Sequence, residues 1–351
     1  MKIGIVSTPF LPTPPNGYGG TELFVYTLAK ELTRMGHEIV LFATGDSTKE
    51  FSECGFLFPK HRWPIQPDDE IEHLNQAFYF MNKRDDIDVL HINSPYAVPI
   101  FSKAAAPVAV TMHHQYSPAF TSLYNQFPSV RVVSISDNQA ALSKIKVPIT
   151  TIHHGLDTTI FSPVPVPKKN YVLYLGRITK DKGPDLAIQA ALKAGHPIVL
   201  AGGVQDCDKE FFNAMVAPYL ADKRVSYVGE KGLEEKVALL REARALLMPL
   251  RWDEPFGLVM IEAILCGCPV VAFPRGSAPE IVKDNITGFL TGDIEEMAST
   301  IRRNIARIDR DKCSRYGQMM FSAQTMASRY ETLFRDMIRR RLNGSLVETT
   351  A

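Results

Sequence analysis

Two carboxylates eight positions apart, Glu254 and Glu262 in the stretch EPFGLVMIE, carry the first chemical signal in this chain of 351 residues. Pro255 and Gly257 follow the first acid. A proline is tolerated at a helix start, where its missing N–H would have no partner, and glycine lets backbone approach a ligand closely. A helix beginning near Gly257 would aim its free amides at the space beside Glu254, a setting that suits an anion such as a diphosphate. Glu262, two turns or less inside, would face inward, where a carboxylate can hold vicinal hydroxyls. One diphosphate and two hydroxyl-binding acids together fit a nucleotide sugar. An isolated Glu-x7-Glu pair would be only a solvated helix face, so the flanking chain decides between the readings.

The segment LGRITKDKGPD (175–185) places Arg177 and Lys182 five residues apart across a turn at the end of a strand-like run. An Arg fork and a Lys point charge suit a diphosphate whose charge grows as it leaves; the plain alternative is two solvated turn cations. Gly203 in LAGGV and Gly229 in YVGE follow strands and would admit a base or ribose. Earlier, PPNGYGGTE (14–22) lies between a strand and a helix. There Gly19 and Gly20 let backbone approach, Thr21 can cap the helix and Glu22 favours its positive end. The glycine spacing matches neither a dinucleotide fingerprint nor a Walker loop. His113 and His114 end one strand, His153 and His154 another, and a neutral imidazole can donate to or accept from a sugar hydroxyl. Adjacent residues project oppositely from a strand, so each pair offers at most one ligand to a site, and no metal centre is expected. Cys266 and Cys268 lack two further ligands nearby, which argues against zinc.

These residues need elements to position them, and the chain supplies short apolar runs alternating with amphipathic segments. Strands are predicted at 2–7, 38–43, 87–92, 107–112, 130–135 and 149–154, with a helix from about Thr21 to Met35. The segment 44–70 reads as irregular. After the proline-rich SPVPVPKKN (162–170), a stiff linker by composition, the pattern restarts at 170–177, 196–203, 224–229, 243–249, 269–274 and 288–292. Continuous apolar strands separated by helices require a parallel sheet covered on both faces. The fold class is therefore α/β, with two Rossmann-like doubly wound domains: residues 1–163, residues 164–320, and a last helix (about Phe321 to Arg341, in 321–351) crossing back to the first domain. Ligands in such sheets bind beyond the carboxyl ends of the strands, so a cleft between the domains is the expected site.

Composition excludes several classes. A formal net charge of +1 is unlike a nucleic-acid binder, and no apolar run has the length of a membrane span. MKIGIVSTPF reads as a first strand, not a signal peptide. Five scattered cysteines fit small buried thiols in a reduced cytoplasm. Arg339, Arg340 and Arg341 are expected at a helix C-terminus, where the dipole favours cations; a weak peripheral membrane contact is the other reading.

Taken together, PPNGYGGTE, Thr111-Met112-His113, HGLDTTIFSP (154–163), GRITKDKG, EPFGLVMIE and GCPVVAFPRGSAPEIV (267–282) resemble, in order and spacing, the retaining glycosyltransferases of family 4, the group-1 enzymes with the GT-B fold. The resemblance covers nearly the whole chain. It implies a hexosyltransferase that moves a sugar from a nucleotide sugar, most often a UDP-sugar, to a hydroxyl acceptor, without a metal or other cofactor. It further implies that Arg177 and Lys182 hold the donor diphosphate, that Glu254 contacts the donor sugar and that Glu262 binds the ribose. Phe256, Gly257, Leu258 and Val259 form the phosphate-facing helix end, and Gly19 and Gly20 the loop that closes on the phosphates. His113 lies near the reacting centre. Tyr18, His114, Tyr116 and His154 fall on the acceptor side, with Tyr96 and Phe120 as further stacking surfaces. One departure is visible: His154 stands where the family commonly has Asn. Two alternatives share the architecture, a nucleotide-sugar epimerase and a non-catalytic sugar-binding protein. A nicotinamide dehydrogenase would need the fingerprint loop that is missing here.

Overall fold

The computed structural model describes residues 1–17, 19–64, 66–167 and 169–348; Tyr18, one of the expected acceptor-side aromatics, lies outside them. Packing divides the chain into two units, Met1–Gly155 with Ala323–Ala351, and Leu156–Ser322.

The first unit is built on seven parallel strands: β1 (Lys2–Val6), β2 (Glu38–Ala43), β3 (Glu53–Phe56), β4 (Val89–Ile92), β5 (Val108–Thr111), β6 (Arg131–Ser134) and β7 (Ile149–Thr151). Their order is β3-β2-β1-β4-β5-β6-β7, with Ile3 opposite Ile39 on one side and Val89 on the other. Between them run α1 (Gly20–Arg34), α2 (Pro67–Asn82), α3 (Val98–Phe101), α4 (Pro118–Gln126) and α5 (Asp137–Ser143). Alternation within β1 sends Ile3 and Ile5 to one face, with Phe24 and Leu28 of α1, and Val6 to the other, with Val40, Phe42, Leu74 and Phe101. Burying each such side chain contributes ~1.5–3 kcal/mol, so a strand apolar on both faces is stable only between two helical layers. The chain's final helix, α13 (Ala323–Glu348), belongs to this unit and puts Met326, Tyr330 and Phe334 into the first of those faces.

The second unit has six parallel strands: β8 (Val172–Leu175), β9 (Ile198–Ala201), β10 (Val225–Tyr227), β11 (Leu246–Met248), β12 (Val270–Ala272) and β13 (Gly288–Leu290), in the order β10-β9-β8-β11-β12-β13. Its helices are α6 (Pro184–Ala194), α7 (Lys209–Met215), α8 (Leu233–Glu242), α9 (Leu258–Leu265), α10 (Ala278–Ile281), α11 (Ile294–Arg303) and α12 (Arg310–Phe321). One face of the sheet packs Val172, Tyr174, Leu200 and Leu247 against Ile188 of α6 and Ile301 of α11. Both units are thus Rossmann-like. In each, the strand order reverses beside the first strand, between β1 and β4 and between β8 and β11, which opens a crevice at the carboxyl ends of those strands.

Four details differ from the sequence expectation. Residues 44–70 are not wholly irregular: β3 pairs with β2 (Val40 opposite Glu53), and α2 starts at Pro67 with Asp68, Asp69 and Glu70 in its first turn. The strand sequence ECGF lacks β-branched residues, so its pairing partner and not its own composition makes it a strand. The last helix, α13, starts two residues after the expected Phe321 and runs past Arg341 to Glu348. Arg339–Arg341 therefore lie inside a helix, where Arg339 and Arg340 both bond Asp336 at 3.0 and 2.7 Å. Residues 156–163 pack with the second unit, through Leu156 N–H to Phe321 O (2.9 Å) and Arg241 Nε to Ser162 O (2.8 Å). Of the five thiols, Cys266, Cys268 and Cys313 are buried, whereas Cys54 is half-buried and Cys207 exposed; burial pushes Cys266 up to about 12. Among the described residues no helix is long and apolar enough to cross a membrane.

Candidate functional site

In the second unit the loops after β8 and β11 flank the switch point. Arg251, after β11, grips Asp185 of α6 with two bonds of 2.7 and 2.5 Å and reaches Lys180 O at 2.8 Å. Asp185 is 1% exposed, so this bidentate pair fastens one loop to the other with defined geometry. Lys182 is thereby set beside Glu254, and its ammonium forms an ion pair with Glu254 Oε2 while lying 4.9 Å from the Trp252 ring centroid. Glu254 is buried. Its carbonyl accepts from Ser277 N–H at 3.0 Å, and a Cβ on Gly276 (φ +56°) would strike the Glu254 backbone. Tyr174 donates to Arg177 O at 2.7 Å, and burial, with the charges of Glu254 and Asp185 nearby, holds its phenol well above the usual range. Arg177 is half-buried, and its guanidinium has no hydrogen bond or ion pair among the described residues.

The helix α9 begins as its sequence requires. Gly257 caps it in the left-handed region (φ +83°), where a Cβ would lie 2.5 Å from Met260 Cε. The amides of Leu258 and Val259 fall in the first turn, where helical N–H groups lack intrahelical partners. The ring of Phe256 is buried against Phe321 (6.3 Å between centroids), where it contributes packing. Glu262 projects from α9 with 3% exposure. Its Oε1 accepts from Lys236 Nζ of α8 at 2.6 Å, but its Oε2 is buried without a partner, as is the indole Nε1 of Trp252. An unmet buried polar group costs ~1–3 kcal/mol, more for a charged one. A ligand that donates to Glu262 would remove the first cost, and one that accepts from Trp252 the second. The ends of β8, β9 and β10 meet in glycine: Gly202 N–H donates to Gly229 O at 2.9 Å, and Gly229 (φ +73°) has open space where a Cβ would go. A Cβ on Gly203 would meet Glu230 Oε2 at 3.0 Å.

In the first unit Gly19 caps α1 and Gly20 opens it. A Cβ on Gly19 would press on Pro15 and Leu11 at 2.8 and 2.9 Å, so this glycine serves packing of the loop. Glu22 is buried and accepts from Thr8 Oγ1, and desolvation raises its carboxyl. His113, at the end of β5, bonds through Nε2 to Asn93 Oδ1 at 2.9 Å. Asn93 Nδ2 donates to Val6 O at 2.9 Å; this orients the amide, so Nε2 of His113 carries the proton and Nδ1 keeps its lone pair. Burial first, then the neighbouring His154, His91 and His114, hold this imidazole well below its usual value, so it is neutral at pH 7. His154 lies in the interior, stacked on His113 at 5.5 Å and against Phe24 at 4.8 Å, and burial lowers it to about 3. His114 bonds Tyr124 Oη at 2.9 Å and packs on Phe120 at 4.4 Å. Tyr116 and Tyr96 are exposed; Lys144 sits 5.7 Å from the first ring, and Phe120 lies 5.6 Å from the second.

Sequence reasoning missed Lys236, Trp252, Gly276 and Asn93. Asn93 carried a signal, a polar residue directly after an apolar strand run, whereas Lys236 stands in an ordinary amphipathic helix. A cavity of about 540 Å³ lies elsewhere in the second unit, at the amino-terminal edge of β8 and β11, lined by Lys169, Arg244 and Arg310. These cations are already engaged, by Glu242, Asn170 and the carbonyls of Ala243 and Arg244.

Residues 18–160 match the family model described as Glycosyltransferase Family 4, and residues 157–320 match Glycosyl transferases group 1. The D-inositol 3-phosphate glycosyltransferase of Mycobacterium sp. (strain JLS) is 33% identical over 177 residues, 45% of this chain and 40% of that protein. That of Mycobacterium bovis (strain BCG / Pasteur 1173P2) is 34% identical over 164 residues, 42% of this chain and 33% of its own length. The chain thus spans less than half the length of these curated relatives. Among solved structures, a glycosyltransferase involved in Avilamycin A biosynthesis superposes with a TM-score of 0.75 at 24% identity, over 97% of this chain and 98% of that one. Sucrose-phosphate synthase from Thermosynechococcus elongatus gives 0.80 at 20% identity, over 97% and 100%. Anabaena HepE in complex with UDP and glucose gives 0.74 at 19%, over 96% and 100%. At these identities the structural likeness is one of fold. Two family models meeting near the junction of two Rossmann-like units leave one assignment: the chain belongs to the family 4, group 1 glycosyltransferases and has their GT-B fold.

Proposed function

We propose that this glycosyltransferase moves a hexose from a nucleoside diphosphate α-sugar, a UDP-sugar first, to a hydroxyl acceptor with retention of configuration. One observation carries the reading: Glu262 keeps a buried carboxylate oxygen without a donor, within the α9 helix whose first-turn amides lie beside the Lys182–Glu254 pair. A ribose hydroxyl supplies the missing donor, and a diphosphate suits the amides, Lys182 and the unpaired Arg177. The second unit is then the donor-binding domain, with Gly203 and Gly229 leaving room for base or ribose. UDP is favoured because HepE, of the same fold, was solved with UDP.

In the reaction the bond from the anomeric carbon to the diphosphate breaks as the acceptor oxygen bonds the same face. The acceptor's proton passes to the departing phosphate oxygen. The charge that grows there is met by Arg177, Lys182 and the helix amides, which are already in place and need no reorganisation. These groups supply what a metal ion supplies in other transferases. His113, neutral and with Nδ1 as an acceptor, suits a sugar hydroxyl. The exposed rings of Tyr96 and Tyr116 suit a stacked acceptor on the first unit.

The test is a panel of UDP-, GDP- and ADP-sugars, read by nucleotide release with and without hydroxyl acceptors. Release from one donor, with a product that retains the α-configuration, is the expected result. No release from any donor, or isomerised donor without transfer, would overturn the proposal.

A further inference from the structure

We infer that Lys236 is a positioning residue that sets the enzyme's discrimination between ribo- and deoxyribonucleotides, an inference that rests on the proposed donor site. The argument begins with the two oxygens of Glu262. A free carboxylate offers both to a vicinal diol and can rotate between them. Here Lys236 Nζ holds Oε1 at 2.6 Å, so the carboxylate is fixed in place and Oε2 is the oxygen left without a donor. Glu262 has 3% side-chain exposure and Lys236 21%, so the ammonium compensates a charge that water barely reaches.

A carboxylate locked in this way distinguishes ligands sharply. A hydroxyl placed at Oε2 satisfies it, whereas a C–H in the same place leaves a buried charge without its donor. Sites built to bond a hydroxyl reject analogues lacking it for this reason. Lys236 comes from α8 and Glu262 from α9, so the lock depends on two helices packing together. The Phe161 ring, 5.5 Å from Lys236 Nζ, covers another side of the ammonium and narrows its freedom further.

The test measures binding of UDP, GDP and ADP, and of the 2′-deoxy and 3′-deoxy forms of whichever binds, to wild type, Lys236→Met and Lys236→Arg. Wild type is expected to prefer the ribonucleotide over one deoxy form by about tenfold or more. Lys236→Met is expected to bring that ratio below about threefold, and Lys236→Arg, which keeps a charged donor, to restore most of it. A merely structural lysine would weaken all nucleotides alike and leave the ratio unchanged; that result overturns the inference. If Lys236→Met does not fold, Lys236→Gln replaces it with the same expected loss and the same overturning result. Wild type that binds none of the three nucleotides overturns the donor-site reading and this inference together. Binding with an unchanged ratio overturns this inference alone.

Discussion

Substituting Lys182 by Met removes one cation and strands one acid, and the two consequences separate by assay. The Lys182–Glu254 pair is 17% and 11% exposed at its two side chains. Breaking a fully buried pair costs ~3–5 kcal/mol and an exposed one at most ~1. At this exposure the single variant should lose ~2–3 kcal/mol, a fall of about 5–10 °C in Tm for a unit of this size. Adding Glu254→Gln removes the stranded charge, and Lys182→Met/Glu254→Gln should recover most of the stability. Activity should behave differently. If Lys182 meets the leaving diphosphate, its loss lowers kcat by about 100-fold, and the double variant stays inactive although it is stable. Differential scanning calorimetry and nucleotide-release kinetics on wild type, both single variants and the double variant complete the cycle. A Lys182→Met variant that loses stability but keeps kcat within about threefold of wild type would show that Lys182 only supports Glu254, and would refute the assigned role.

Three further outcomes follow from other parts of the molecule. Burial holds His73 at about 4 and His91 and His154 at about 3; for such depressed bases the unfolded chain binds the extra protons, so stability is full above pH ~6.5 and falls as the pH drops toward those values. Each group should cost ~2 kcal/mol by pH 5, so thermal melts of the first unit should show steep loss below pH 6, and flat melts between pH 7 and 5 would contradict the burial argument. Gly276→Ala places a Cβ against the Glu254 backbone from a left-handed residue, which should cost ~2 kcal/mol or more and lower activity; equal Tm and kcat would disprove the contact. Nitrogen-15 NMR of the histidine side chains should find His113 neutral at pH 7 with its proton on Nε2, and Asn93→Ala should lower kcat/KM about fivefold; a proton on Nδ1 would reverse the assigned orientation.

The double Rossmann-like architecture was legible because parallel sheets covered on both faces turn strands into unbroken apolar runs, such as IGIV and VVA. Where an element does not depend on its own composition, the signal was absent. The edge strand ECGF is held by pairing with β2. In the candidate site, legibility followed chain distance. Arg177 and Lys182 share one turn, and Glu254, Gly257 and Glu262 share one loop and helix, so residue type and spacing sufficed to group them. Their partners come from other elements: Lys236 is 26 residues from Glu262, and Asn93 is 20 from His113. No local pattern connects such pairs, because packing of separate helices and strands creates them. His154 is buried, stacked on His113 and against Phe24, contacts across elements that its place at the end of an apolar run does not announce.

That both conspicuous acids are already paired with lysines bears on how such a site works. Arg177, Lys182 and Lys236 against Glu254 and Glu262 leave one positive charge in excess before any ligand arrives. A site lined by three uncompensated cations would pull its helices apart through repulsion in a poorly solvated crevice. The glutamates remove that repulsion and also fix each ammonium at a definite point, which long flexible lysines do not otherwise keep. Under the proposed function, a bound diphosphate meets cations already placed. In that reaction, as charge moves from the anomeric bond to the leaving phosphate, Lys182 would strengthen its attraction to that phosphate without leaving Glu254, since an ammonium has three donors. On that reading the preorganisation that lowers the barrier is built from the same ion pair that stabilises the unliganded protein. For this reason removing either partner should impair stability and turnover together, whereas removing both should separate them.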